Sequence, residues 1–285
     1  MFAAKKVALC RQARSLAMAT WLAWGLAWCG AQAAPGAASA PDPRPLTAAA
    51  PLARPASAPI PVSPLQDSIA QRVDACTTCH GADGRAGPDG YYPRLAGKPA
   101  GYLANQLLNF RDGRRSYAPM VYLLDHLNDA YLREIAAYFA SLDIPYPPPV
   151  RPTETSTVLA RGQILVLQGD AARGIPACVQ CHGQMLTGVA PAIPGLLGLP
   201  RHYLAGQIGA WHNGRRRAQA PDCMADVARR LSPDDVSAVA SWLSSQPWPT
   251  GAKPAAGLPH ALPMPCGGVP DPAKPAPAPA PRSAP

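Results

Sequence analysis

The sequence lacks the short signatures of several common enzyme classes. It has no G-x-S-x-G, no H-E-x-x-H and no phosphate-binding P-loop. Leu95-Ala96-Gly97-Lys98-Pro99 lacks that loop's Ser/Thr and its upstream glycine spacing. Beyond the N-terminus no stretch is apolar enough to cross a bilayer. Charge of one sign is not in large excess: 26 Lys and Arg face 17 Asp and Glu, for a net +9. Four of the positive charges, Lys5, Lys6, Arg11 and Arg14, lie in the first thirty-three residues with no acid among them, so the remainder is +5. That mild excess gives little support for nucleic-acid binding, and none is expected.

Proline, by contrast, is abundant and unevenly placed. Of 37 prolines, nine lie in 35–64, five in 145–152 and thirteen in 247–285. The bias marks linkers and a tail around two better-mixed blocks. The expected organisation is a signal at 1–33, a Pro/Ala-rich linker at 34–64, a first domain at 65–146, a Pro-rich joint at 147–156, a second domain at 157–250 and a Pro/Ala-rich tail at 251–285. At the start, the four cations precede an apolar run from Leu16 to Trp28, and Ala31-Gln32-Ala33 follows as a small-x-small cleavage pattern. This predicts export, with cleavage after Ala33 or Ala34. The alternative is a retained anchor helix tethering the chain to a membrane, for which the run is short.

Eight cysteines become six after cleavage. Four form Cys76-Thr77-Thr78-Cys79-His80 and Cys178-Val179-Gln180-Cys181-His182, both C-x-x-C-H, the attachment signature of c-type haem. Two thiols one helical turn apart can add to the two vinyl groups on one porphyrin edge. The next residue then projects an imidazole at the iron. Gly81 and Gly183 follow, where a bulky side chain would crowd the ring. A thioredoxin-like site needs one such pair after a strand, and no alternating strand pattern precedes either motif. A zinc site of four thiolates would leave both histidines without a role.

The motifs belong to an internal repeat of roughly a hundred residues. Pro93-x-Leu95-x-Gly97-x-Pro99-x-x-Tyr102-Leu103-x-x-Gln106 matches Pro194-x-Leu196-x-Gly198-x-Pro200-x-x-Tyr203-Leu204-x-x-Gln207. Each copy reads as helical. Leu65, Ile69 and Val73 recur at helical spacing before Cys76, and Val158 to Leu167 takes that place in copy two, so a first helix is expected to end in each haem motif. A middle helix is expected around 102–110 and 203–211, and a last one over 129–141 and 233–244, begun by Asn128 and by Ser232 with Pro233. Tyr138 and Trp242 are expected in the core against the first helix.

Symmetry between the copies points to candidates for the sixth iron ligand, the alternative for each being an ordinary core methionine. Met120 lies forty residues after His80, and Met224 forty-two after His182; both follow Gly-Arg-Arg and an Ala-Pro. No histidine repeats in this way: His126, His202 and His212 align with Arg230, Gly101 and Arg111. A thioether favours ferrous iron, so His/Met ligation raises the potential and fills both axial positions. A carbonyl in the Pro93 or Pro194 loop is placed to accept the Nδ1–H of the haem histidine; the alternative is that these prolines stiffen the loop. Arg114, Arg115, Arg215 and Arg216 either meet haem propionates and acidic partners or form a solvated face. Cys223 and Cys266 either close a disulfide over the second ligand segment or leave a free thiol, or a thiolate ligand, near the iron.

On the two C-x-x-C-H-G motifs, the two P-x-L-x-G…Y-L…Q stretches and the two late methionines, residues 65–250 resemble the class I c-type cytochromes. In tandem they are similar to the periplasmic dihaem c-four group. The resemblance implies an all-α fold of two tandem class I cytochrome c domains, each around one covalent haem c. It implies a periplasmic electron carrier of the respiratory chain, without an enzymatic activity of its own. The implied partners are a quinol-oxidising bc-type complex or a dehydrogenase as donor and a terminal oxidase as acceptor. Two other readings stay open at this level: a dihaem enzyme of peroxidase or thiosulfate-oxidising type, and a fixed electron-transfer subunit held by its N-terminal arm.

Overall fold

A computed structural model describes residues 67–270. The expected signal, the linker at 34–64 and the end of the tail therefore lie outside the described residues. Within them, two helical halves follow one another. The first comprises α1 (Ile69–Arg72), α2 (Asp74–His80), α3 (Ala100–Arg111), α4 (Ala118–Leu124) and α5 (Asp129–Ser141). The second comprises α6 (Ser156–Leu167), α7 (Cys178–His182), α8 (Arg201–His212), α9 (Cys223–Arg230) and α10 (Pro233–Ser244), with a short antiparallel pair, β1 (Gly188–Val189) and β2 (Ile193–Pro194).

The helix starts follow local chemistry. Asn128 Oδ1 accepts the Tyr131 amide at 2.9 Å at the head of α5. Ser232 and Asp235 form a capping box at α10, with Pro233 in the first turn. In the first half α1 and α2 are nearly continuous and change direction at Val73, so the haem motif ends a helical segment as expected. In the second half it does not: α6 stops at Leu167 and the motif begins a separate helix. The reason lies between them. Gly169 and Gly174 have φ of +76° and +63°, and Asp170 and Ile175 exchange two backbone hydrogen bonds of 2.8 and 2.9 Å that close the chain into a loop. The segments that carry Met120 and Met224 also contain helices, α4 and α9, that periodicity alone does not reveal.

Each half has its own core. Val73, Leu103, Phe110, Leu124, Leu132, Ile135 and Phe139 fill the first. Leu165, Val166, Leu204, Leu231, Val239 and Leu243 fill much of the second. Trp242 is half-buried against that second core where α6 crosses α10. The crossing is close because Gly162 carries no side chain: a methyl there would run into the Ala238 carbonyl. Tyr138 packs edge-to-face on Phe139, centroids 5.2 Å apart.

One ion cluster, two partly exposed arginines on a buried carboxylate, ties the second half together. The Asp235 side chain is 6 % exposed and accepts Arg161 Nε at 3.0 Å, Arg173 Nη1 at 2.7 Å and the Ser232 amide at 3.1 Å. Burial alone would raise the Asp235 pKa, but the two guanidiniums and Ser232 outweigh it and hold the carboxyl far below its usual range. Because the folded value is depressed, the stabilisation is complete above the unfolded value of about 4. It is lost as pH falls through the folded value. Asp235→Asn is expected to cost about 2 kcal/mol at pH 7. In chemical denaturation the gap between variant and native should begin to narrow below about pH 4 and keep narrowing as the pH is lowered further.

The halves meet on equivalent surfaces. Ser116 N donates to Arg215 O at 2.8 Å and Arg217 N to Arg114 O at 2.7 Å, so the two Gly-Arg-Arg stretches pair with each other antiparallel. Arg115 donates to Gln106 at 2.9 Å and to Gln207 at 2.6 Å. Its counterpart Arg216 donates to Gln207 at 2.8 Å and to Gln106 at 3.2 Å. Arg115 lies over the Phe110 ring at 4.5 Å and Arg216 over the equivalent Trp211 at 3.9 Å. This is a two-fold arrangement within one chain.

The joint and tail are anchored. Tyr146 is sandwiched between Arg94, 3.9 Å from its ring, and Trp248, stacked at 3.7 Å. Composition marks everything from residue 251 as tail, yet 251–270 runs back over both halves. Ala255 accepts from Ala190 N at 2.8 Å and donates to Gly188 O at 2.9 Å, adding a rung beside β1. Gly267 N donates to Pro221 O at 2.9 Å, and Asn105 of α3 donates to Gly268 O at 2.7 Å. Proline removes a donor at its own position only; the alanine and glycines between supply the rungs.

Candidate functional site

Two matching sites are built around His80 and His182. Both imidazoles are buried, each at the end of its C-x-x-C-H helix. The chain turns directly after each, at Gly81 and Gly183, with φ of +73° and +84°. His80 Nδ1 lies 2.8 Å from Pro93 O, and His182 Nδ1 lies 2.8 Å from Pro194 O. A carbonyl can only accept, so Nδ1 carries the proton and Nε2 keeps its lone pair. Burial lowers both imidazole pKa values, against the carbonyl contact, with Arg115 and Arg216 respectively adding to the fall. Each ring is thus a neutral, oriented nitrogen donor.

The four motif thiols are unpaired. Burial pushes the Cys178 thiol up to about 12, with Cys181 adding to it, and also raises Cys76 and Cys181. Such thiols are poor thiolates and poor redox nucleophiles. Among the described residues no group of three or more His, Cys, Asp or Glu converges, so the thiols do not assemble a zinc site. Met120 is the third residue of α4, half-buried against the first core. Met224 is the second residue of α9 and also half-buried. The helix is capped by Asp222, whose Oδ1 accepts the Ala225 amide at 3.0 Å. The sulfurs of Cys223 and Cys266 are joined, with Cα atoms 5.0 Å apart. His126, His202, His212 and His260 are exposed.

Between the sites lies a surplus of buried positive charge. Lys98 and Arg216 are each only 6 % exposed, and Arg115 is half-buried. Among the described residues none of the three has a carboxylate partner. Burial lowers the pKa of Lys98 and of Arg216. Beside them Trp211 Nε1 is buried with no acceptor. Uncompensated charges and an orphaned N–H are costly, so this region is shaped for an anion. A haem fits both requirements, because it brings a flat apolar ring and two propionate carboxylates. Sequence inspection singled out Arg115 and Arg216 but not Lys98 or Trp211. Gln106 and Gln207 were visible in the repeat, though a repeat alone does not show that they bridge the halves. Asn105 carries no sequence signal.

Comparison with known proteins agrees with this geometry. No family model matches the chain. An electron acceptor of thiosulfate dehydrogenase from Thiomonas intermedia is 41 % identical over 173 residues, covering 61 % of this chain and 79 % of its own. Cytochrome c4 of Pseudomonas aeruginosa is 36 % identical over 172 residues, covering 59 % of this chain and 82 % of its own. The crystal structure of reduced recombinant cytochrome c4 from Pseudomonas stutzeri superposes with a TM-score of 0.54 at 30 % identity, over 61 % of this chain and 95 % of that one. The chain belongs to the cytochrome c4 family of class I c-type cytochromes, all-helical electron carriers that hold two covalently bound haems and are not enzymes.

Proposed function

We propose that this protein is a periplasmic carrier that accepts electrons from a thiosulfate dehydrogenase and passes them towards a terminal oxidase. Cys76 and Cys79 would anchor one haem, and Cys178 and Cys181 the other. His80 with Met120, and His182 with Met224, would complete the two irons. Lys98, Arg115, Arg216 and the Trp211 N–H would meet the propionates. Each bound haem supplies one-electron chemistry with both axial positions filled. The residues do the rest: Pro93 and Pro194 orient the imidazoles, the buried cations compensate carboxylate charge, and the cores exclude water.

The observation that carries the reading is the shared two-fold face. Arg115 and Arg216 each bond both Gln106 and Gln207, so the two sites flank one rigid seam and act in series. The likeness to a thiosulfate dehydrogenase acceptor supports the donor. The export pattern at the N-terminus supports the compartment, as does a disulfide, which persists where conditions are oxidising. Among the described residues no helix is long and apolar enough to cross a membrane.

The test mixes ferric holoprotein with thiosulfate dehydrogenase and thiosulfate in a stopped-flow spectrometer. Two electrons per chain should be taken up, and no thiosulfate should be consumed when the dehydrogenase is left out. A protein reduced by a quinol-oxidising bc-type complex but not by the dehydrogenase would move the donor assignment to that complex.

A further inference from the structure

The two methionine segments are not held alike. In the first half Met120 sits on α4, whose neighbours Tyr122 and Leu123 are 85 % and 53 % exposed. Nothing covalent restrains that helix, and its first residue has no side-chain cap. In the second half the residue before Met224 is Cys223, bonded to Cys266 in a segment that comes back from α10. The returning chain is pressed close there: a side chain at Gly267 would run into the Ala220 carbonyl. Gly267 N is bonded to Pro221 O at 2.9 Å, and Gly268 O accepts from Asn105 of the first half at 2.7 Å. Further upstream the segment is fixed by Trp248 on Tyr146 and by Ala255 on β1.

A ligand sulfur leaves its iron when its segment opens locally, and segments with few anchors open most readily. For α9 to move away it would have to drag a cross-linked strap anchored on both halves. For α4 no such load exists. We propose that residues 245–270 form a covalent clamp on the second methionine, with Cys223, Cys266, Gly267 and Asn105 as positioning residues that keep Met224 on its iron while Met120 stays free to exchange. The clamp rests on the reading of Met120 and Met224 as ligands. It gives two chemically similar haems different susceptibility to outside ligands, with the first as the labile one.

The experiment uses ferric holoprotein carrying two haems, with imidazole as the competing ligand. The readout is the weak methionine–iron band at the red end of the visible. Met120→Ala and Met224→Ala assign the two halves of that band. In the native protein the Met120 half should disappear at least about tenfold faster than the Met224 half. In Cys266→Ser the Met224 half should speed up to within a few-fold of the other, and Asn105→Ala should produce part of that change. A parallel sample avoids any folding defect of the variants: native disulfide is opened with a phosphine, the thiols are capped with iodoacetamide, and the haems are reoxidised with ferricyanide. Peptide mass analysis must show Cys223 joined to Cys266 before treatment. Equal exchange at both haems in the native protein, or an unchanged Met224 half after the cross-link is opened, overturns the clamp alone. A band left whole in Met224→Ala overturns the ligand assignment, and the clamp with it.

Discussion

Replacing Met224 with alanine is expected to remove half of the red methionine–iron band and to lower one of the two reduction potentials by on the order of 0.1 V, within the roughly 0.8 V that axial ligands can span. Met120→Ala should do the same to the other half. The double variant should keep two covalent haems with no band at all. The cause is the donor's softness: a thioether favours ferrous iron, and water or an empty position does not. The imidazole side should be unaffected, because the Nδ1 contacts of His80 and His182 to Pro93 and Pro194 lie in other loops. A redox titration followed spectrally separates the two sites. Two potentials and a spectrum indistinguishable from native in the double variant would remove the methionines from both irons.

Without haem the seam between the halves is expected to come apart. Lys98 and Arg216 are buried and, among the described residues, unpaired. An ion taken out of water costs several kcal/mol even after relaxation. A domain's whole net stability is only about 5–15 kcal/mol. If the propionates supply the missing negative charge, as proposed above, the chain with all four motif cysteines changed to alanine should retain much of its far-ultraviolet circular dichroism. It should lose the near-ultraviolet signal of fixed aromatic packing. Adding Arg216→Leu should stabilise this haem-free chain while destabilising the holoprotein, a reversal of sign that a general packing defect would not give. A haem-free chain melting within about 5 °C of the holoprotein, a gap worth only about 1 kcal/mol for domains of this size, would show that the cations need no outside anion.

The parts of this protein that sequence displays well are those fixed by near neighbours. The C-x-x-C-H motifs place two thiols and an imidazole by helical spacing alone, and Asn128 and Ser232 mark helix starts by what they bond three residues on. The paired positions of Met120 and Met224 come from duplication, and periodicity does not supply them. What stays hidden depends on distant partners or backbone strain. Asp170 to Ile175 closes a loop that separates α6 from α7, a geometry set by two left-handed glycines. The strap was masked by its prolines, which resemble a linker in composition although Ala255, Gly267 and Gly268 make ordered contacts. Lys98 carries no such mark in the sequence, and its burial, beside Tyr102, Arg94 and Arg216, shows only in the folded chain.

The antiparallel pairing of the two Gly-Arg-Arg stretches has a consequence for how such a molecule comes to exist. A patch that recognises its own copy is what a symmetric dimer of single halves would use. Joining the copies in one polypeptide makes their encounter independent of protein concentration. It also releases them from having to stay identical. Phe110 and Trp211 already differ beneath equivalent arginines, and only the later copy bears Cys223. Direction in the electron path can then arise from unlike twins, on a face whose symmetry favours neither.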